Sequence, residues 1–287
     1  MPGLETAHAP ASAASICDAL RRAGNERDLR AVRLTGGDLL LRGDLPELVA
    51  VATTVASRLS LMTTALPLLR AGIAARLRDM GVHGILVPLF GADADGHDWL
   101  ASKAGAHAST LRGLRAARAH GLDVEVVLPA LRPTMRGIET LVARTLPLGV
   151  AAYTFVVPTP DAMTTPSLSP SPSLAAPWVL RGARLAAAAR RRVAFEGLTS
   201  CLLEDQATTD LRRRGETLEL DALASAVDFA FENGQKQIEV CGMCRWQADC
   251  RGPWQATLAR HGAAGLQPRR DAPPRSMARH AAAGPAS

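Results

Sequence analysis

The chain has 287 residues, 47% hydrophobic and 21% charged, enough for one large domain or two small ones with a sizeable core. That balance excludes collagen-like, wholly disordered and coiled-coil classes, and no stretch reaches the ~20 unbroken apolar residues of a membrane span. The net charge of +6 is carried almost wholly by arginine, and aromatics are only 3%, so the interleaved basic and aromatic pattern of a nucleic-acid surface is missing and nucleic-acid binding is not expected.

Residues 1–13 are rich in Ala and Pro and read as a flexible N-terminus; they carry neither a basic n-region nor an apolar h-region, so no secretory signal is expected. A helical period covers 16–23. Residues 31–35 read as a strand ending at Gly36-Gly37. A helix follows over 47–59, with Asp44 upstream as N-cap. A short strand at 61–63 precedes a helix over 66–80, closed by Gly81. Residues 84–90 are the next strand, 109–120 a helix, 124–128 a strand, 137–146 a helix and 151–157 the fifth strand. Strand and helix alternate at about 30 residues per unit, as in right-handed βαβ units on a parallel sheet. The apolar runs are nearly continuous, as in strands covered on both faces.

Residues 158–177, PTPDAMTTPSLSPSPSLAAP, read as a linker. A helix over 178–192 and another over 219–232 follow, and 268–287 read as a disordered tail. The domain plan is thus a flexible start at 1–13, an α/β body at 14–157, the linker, a cysteine-bearing region at 178–267 and the tail.

Five cysteines stand at 17, 201, 241, 244 and 250. An odd number without a secretory signal points to metal chemistry in a reducing compartment, hence the cytoplasm, rather than to disulfides. Cys241, Cys244 and Cys250 form a C-x2-C-x5-C array. Two thiolates two residues apart can grip one metal group from a tight turn, and Cys201 brings the set to four, the usual number for a zinc site or an iron–sulfur cluster. Spacing alone leaves zinc and iron–sulfur both open. Cys17 reads as a buried helix residue. His97-Asp98 reads as a loop cap, with an acid/base pair as the alternative.

Several segments resemble the radical S-adenosylmethionine (radical SAM) superfamily. Residues 32–45, VRLTGGDLLLRGDL, resemble its GGE-P-L-L-R-x-D-L segment, and 61–69, LMTTALPLL, resemble its next strand end. Residues 87–98, VPLFGADADGHD, with 110–114, TLRGL, resemble the fourth-strand region of peptide-modifying members. Residues 195–203, FEGLTSCLL, and the run from EVCGMC at 239–244 to CRG at 250–252 resemble their C-terminal auxiliary-cluster (SPASM- or twitch-like) segment. These segments follow the family order over residues 16–268.

The resemblance implies an open (β/α) barrel of the radical SAM type lacking its first strand, with a small C-terminal cysteine-rich extension. It implies one auxiliary [4Fe-4S] cluster on Cys201, Cys241, Cys244 and Cys250. Around S-adenosylmethionine it implies Gly36, Gly37, Asp38 and Thr63, the glycines permitting close backbone approach and the aspartate accepting a charged donor. The alternative for these residues is a plain strand-end turn. The family's C-x3-C-x2-C motif is not in this sequence, Asp38 replaces the usual Glu, and Thr64-Ala65 replace Asn-Gly. The expectation is therefore a partner subunit in peptide or cofactor maturation that does not cleave S-adenosylmethionine alone. The alternatives are an active enzyme, truncated or complemented in trans, and a zinc-stabilised binding module. A missing first strand would expose the edge of the strand at 31–35. That edge is expected to be covered by another protein, either a complete radical SAM subunit or the substrate peptide, rather than by the N-terminal segment or a second copy.

Overall fold

The computed structural model describes residues 11–26, 28–158, 167–203, 217–221 and 234–271. In chain order the elements are α1 (Ala13–Glu26), β1 (Leu29–Thr35), α2 (Leu45–Val55), β2 (Ala56–Met62), α3 (Ile73–Asp79), β3 (Gly84–Pro88), α4 (Ala94–Ala101), α5 (Ala106–Ala119), β4 (Asp123–Pro129), α6 (Ile138–Thr145), β5 (Ala152–Val156), α7 (Pro172–Ala188), β6 (Arg192–Glu196), β7 (Thr217–Asp221) and α8 (Gln255–His261).

The strands form one parallel sheet in the order β6-β5-β4-β3-β2-β1-β7. From β1 to β6 each strand pairs with the next in sequence, the pattern of a (β/α) barrel left open. Val32, Leu34, Leu59, Leu61, Val124, Val126, Tyr153 and Phe155 are buried on the face that meets the helices. Strand alternation turns Arg33, Glu125 and Thr154 to the other face, the inside of the half-barrel. There Arg33 Nη2 donates to Glu125 Oε1 at 2.8 Å and Thr154 Oγ1 donates to the same oxygen at 2.5 Å. On the helix face the rings of Phe155 and Phe195 stack at 5.8 Å, tying β5 to β6.

The expected α/β partial barrel is the fold observed, but its edges differ from expectation. Residues 56–62 are strand, not the end of a helix over 47–59. They pair with β1 from Leu29↔Ala56 to Leu34↔Leu61, so pairing outweighs their helical period. The helix expected over 66–80 is broken: Pro67–Leu69 form a short 3-10 turn, Arg70 is extended, and α3 starts only at Ile73.

The edge of β1 is covered from within the chain. β7 pairs with it in parallel, with Val32↔Leu218, Arg33↔Glu219 and Leu34↔Leu220 in register. This corrects the expectation that another protein takes that edge. It also corrects the helix expected from Glu219, whose residues 222–232 lie outside the described ones. The alternation Leu218-Glu219-Leu220 is a strand period, and it matches that of β1 position by position.

Three boundaries also move. Residues 11–13 are packed rather than flexible: Ala11 is buried and its carbonyl accepts from Arg42 Nη2. The segment read as a linker over 158–177 ends in helix, since α7 begins at Pro172 with Ser171 as N-cap, accepting from Leu174 N. Ser-Pro at a helix start supplies the cap and a residue needing no donor, so the composition that suggested a linker was a start signal. In the segment read as a tail, residues 268–271 pack against the cysteine region, while 272–287 lie outside the described residues.

Candidate functional site

In a parallel sheet with helical crossovers, binding residues gather in the loops beyond the carboxyl ends of the strands. Both candidate sites lie on that edge.

The first follows β1 and β2. Gly36 and Gly37 have φ of +89° and +71°, a double left-handed turn that a side chain would strain. The turn swings Asp38 across to the next strand end. Asp38 Oδ2 accepts from Thr64 N at 3.0 Å and Thr64 Oγ1 at 2.5 Å, and Oδ1 accepts from Leu40 N. The carboxylate thus clasps the two strand ends together. Thr63 is fully buried and its hydroxyl accepts from Ala65 N. Ala65 itself has φ +64°, a conformation natural to glycine, at the place where the resembled family carries Gly.

The second site follows β6. Gly197, at φ +75°, lies so close to Val157 that a Cβ would stand 2.0 Å from its carbonyl oxygen, and this turn delivers Thr199, Ser200 and Cys201 beyond the strand. Cys201, Cys241, Cys244 and Cys250 all line one open cavity, with Thr199, Val240 and Leu266 among its walls. The four sequence-predicted cysteines, which span 50 residues of chain, are therefore brought together. All four are free thiols.

Donors surround the sulfurs. Gly252 N donates to Cys250 Sγ at 3.4 Å, Arg269 N donates to Cys244 Sγ at 3.3 Å, and Thr199 Oγ1 lies 3.0 Å from Cys201 Sγ. Burial pushes the Cys201 thiol up, hydrogen bonds from Thr199 and the Gln267 backbone pull it down, and the neighbouring Cys250 raises it. Among the described residues no three His, Cys, Asp or Glu side chains close on one point as ligands of a single ion do. A tetrahedral zinc with Zn–S near 2.3 Å needs its sulfurs within about 3.8 Å of one another. The four thiols share one lining, with backbone N–H groups aimed at two of the sulfurs.

Sequence reading missed Thr199, Gly252, Gln267 and Arg269. Three of the contributions are backbone N–H groups, which leave no residue-type signal, and Arg269 fell in the segment read as a tail. Cys17 is buried in α1 among Ile16 and Leu20, away from the cavity, as expected. His97 and Asp98 are not an acid/base pair. Asp98 accepts from Gly105 N and His107 N, capping α5, while His97 is buried and its Nδ1 accepts from Phe90 N. Burial lowers the His97 pKa to about 4, so the ring is neutral.

Residues 8–143 match the model of the Radical SAM superfamily. An AdoMet-dependent heme synthase from Nitratidesulfovibrio vulgaris (strain Hildenborough) is 28% identical over 119 residues, which is 42% of this chain and 32% of that protein. The chain thus spans about a third of that relative's length. Streptococcus suis SuiB bound to S-adenosylmethionine superposes with a TM-score of 0.62 at 10% identity, covering 90% of this chain and 69% of that one. SuiB bound to its precursor peptide SuiA gives 0.60 at 12% identity, covering 90% and 68%. Hydroxymethylglutaryl-CoA lyase from Pseudomonas aeruginosa gives 0.51 at 12% identity, covering 77% and 73%. The sheet is a partial (β/α) barrel of the fold that SuiB shares. Within it the Gly36-Gly37-Asp38 turn lies inside the matched segment, and the cysteine cavity lies beyond it.

Proposed function

We propose that this chain is a radical SAM-like iron–sulfur protein holding one auxiliary [4Fe-4S] cluster on Cys201, Cys241, Cys244 and Cys250, and that it serves as a partner in peptide or cofactor maturation. The observation that carries this reading is the convergence of all four cysteines on one cavity beyond β6. Such a cluster, when bound, supplies a site for one electron. The chain's own residues do the rest: the four thiolates would hold it, Thr199 and the N–H groups of Gly252 and Arg269 would spread charge from the sulfurs, and Leu266 would keep water back.

Gly36, Gly37, Asp38 and Thr63 are the proposed contacts to S-adenosylmethionine. Asp38 already accepts three hydrogen bonds, so it is set to orient the turn as much as to receive an ammonium. Cleavage of S-adenosylmethionine needs an electron from a cluster bound directly to it. The four cysteines of the cavity lie at β6, four strands from β2, which at ~4.8 Å per strand is roughly 20 Å along the sheet. Isolated, the chain is proposed not to perform that cleavage. A peptide is the proposed substrate or partner, supported by the fold shared with SuiB, which is seen with a precursor peptide. Among the described residues no helix is long and apolar enough to cross a membrane; the free thiols support a cytoplasmic setting.

Anaerobic reconstitution with iron and sulfide tests the reading. The wild-type chain should take up about four irons. Alanine at any of the four cavity cysteines should cut that uptake sharply, and Cys17→Ala should leave it unchanged. Stoichiometric zinc with no iron, or uptake unaffected by the four substitutions, overturns the cluster. Formation of 5′-deoxyadenosine by the isolated chain with S-adenosylmethionine and a reductant overturns the proposed inactivity and favours an active enzyme.

A further inference from the structure

The segment 266–271 runs along the wall of the cysteine cavity. Leu266, Gln267 and Pro268 are part of its wall. The next residue, Arg269, is held from every side. Its guanidinium stacks on the Trp246 ring at 4.4 Å, grips Asp271 through two nitrogens at 2.9 and 2.7 Å, and donates to Ser200 O at 3.3 Å. Trp246 is buried and its Nε1 donates to Asp271 O, and Arg245 N donates to Arg269 O. An arginine that is only 9% exposed, stacked and doubly bonded is fixed in place. Its backbone N–H is fixed with it, on Cys244 Sγ.

We propose that residues 266–271 are a latch over the cysteine cavity and that Arg269 is its positioning residue. The guanidinium ties the latch to three parts of the site: the Cys241–Cys244 turn through Trp246, the Cys201 loop through the Ser200 carbonyl, and the chain's own continuation through Asp271. The latch thereby presents the Arg269 N–H to Cys244 and the Gln267 backbone to Cys201. This deepens the cluster reading and rests on it for the redox consequence. The contacts that fix the latch do not depend on any bound group. Hydrogen bonds to cluster sulfurs raise the reduction potential. The latch therefore both shields the cysteines and holds the potential of a bound cluster up.

Two measurements on the full chain test this with Arg269→Gln, Arg269→Lys and Trp246→Phe. In the metal-free protein, iodoacetamide labelling of each cysteine is followed by peptide mass spectrometry. Arg269→Gln should label Cys244 and Cys201 about tenfold faster, the factor that losing a charge-assisted hydrogen bond brings, with Cys17 unchanged as the internal control for folding. Trp246→Phe keeps a ring under the guanidinium and should stay near wild type. In the iron-loaded protein, the midpoint potential of Arg269→Gln should move to more negative values at unchanged iron content. Equal labelling rates in Arg269→Gln and wild type overturn the latch whether or not iron binds. Full rescue of the labelling rate by Arg269→Lys assigns the effect to charge alone and also overturns it. A wild-type chain that binds no iron sinks the cluster reading while the labelling result still decides the latch.

Discussion

The ion pair inside the half-barrel offers a quantitative test of how this fold is held. Arg33 Nη2 and Glu125 Oε1 lie 2.8 Å apart, with side-chain exposures of 13% and 15%, and Thr154 adds its hydroxyl to the same carboxylate oxygen. At that distance the attraction is about 6 kcal/mol for an effective dielectric near 20. Desolvation of both groups offsets most of it, so the net contribution of the pair is small. Removing one member is different, because the other stays in place without its counter-charge. Glu125→Met should therefore cost about 3 kcal/mol, reduced from the ~3–5 range for a fully buried pair by the residual exposure. For a body of this size that lowers Tm by about 6–12 °C. The double variant Arg33→Met/Glu125→Met should recover most of the loss, since matched apolar groups satisfy a buried layer as well as an ion pair does. Urea unfolding followed by circular dichroism, on wild type, both singles and the double, gives the cycle. A Glu125→Met variant within about 0.5 kcal/mol of wild type, or a double as unstable as the singles, would refute the argument.

Acidification probes His97, whose pKa burial lowers from 6.5 to about 4, with His107 depressed by the same cause. Between those two values the unfolded chain binds a proton at His97 that the folded chain does not, so stability falls as pH drops from about 6.5 towards 4. The shift sets a limit of about 3 kcal/mol on this loss; urea midpoints at pH 7 and pH 5 should show it, and His97→Gln should flatten it. At the cysteine loop, Gly197→Ala forces a Cβ to within 2.0 Å of Val157 O at φ +75°, at a cost of at least ~2 kcal/mol; a melting point and an iron uptake both equal to wild type would contradict the role of that turn. The in-register pairing of Ala31 with Thr217 predicts that Ala31→Cys/Thr217→Cys forms an intramolecular disulfide. Peptide mapping that finds this bridge only between chains would show that β7 belongs to a neighbour's sheet.

Several elements were legible because each was encoded locally. The αβ alternation, the apolar strand runs and the glycine stops after 80 and 120 place α5, β3, β4 and β5 within a few residues of their observed bounds. Only the end of the strand at 56–62 was legible, as the short strand at 61–63; residues 56–59 read as the end of the helix before them, and pairing with β1 and β3 decides them. β7 was hidden for the same reason, five residues whose partner lies nearly 190 positions earlier. The start of α7 was misread because Pro and Ser signal both a linker and a helix N-terminus, and only the packing behind the segment separates the two.

By itself the sequence determined the fold class and five of the strands in chain order, and it singled out four cysteines as candidate ligands, since hydrophobic period and cysteine spacing are local properties. The tertiary structure decided what no local pattern can carry. It placed β7 on the edge of β1, where an outside partner was expected. It turned Asp38 into a clasp between two strand ends. It brought Cys201 to the C-x2-C-x5-C loop across 40 residues of chain, and it set the Arg269 N–H on Cys244, because backbone donors and a stacked guanidinium act through position in space rather than position in sequence.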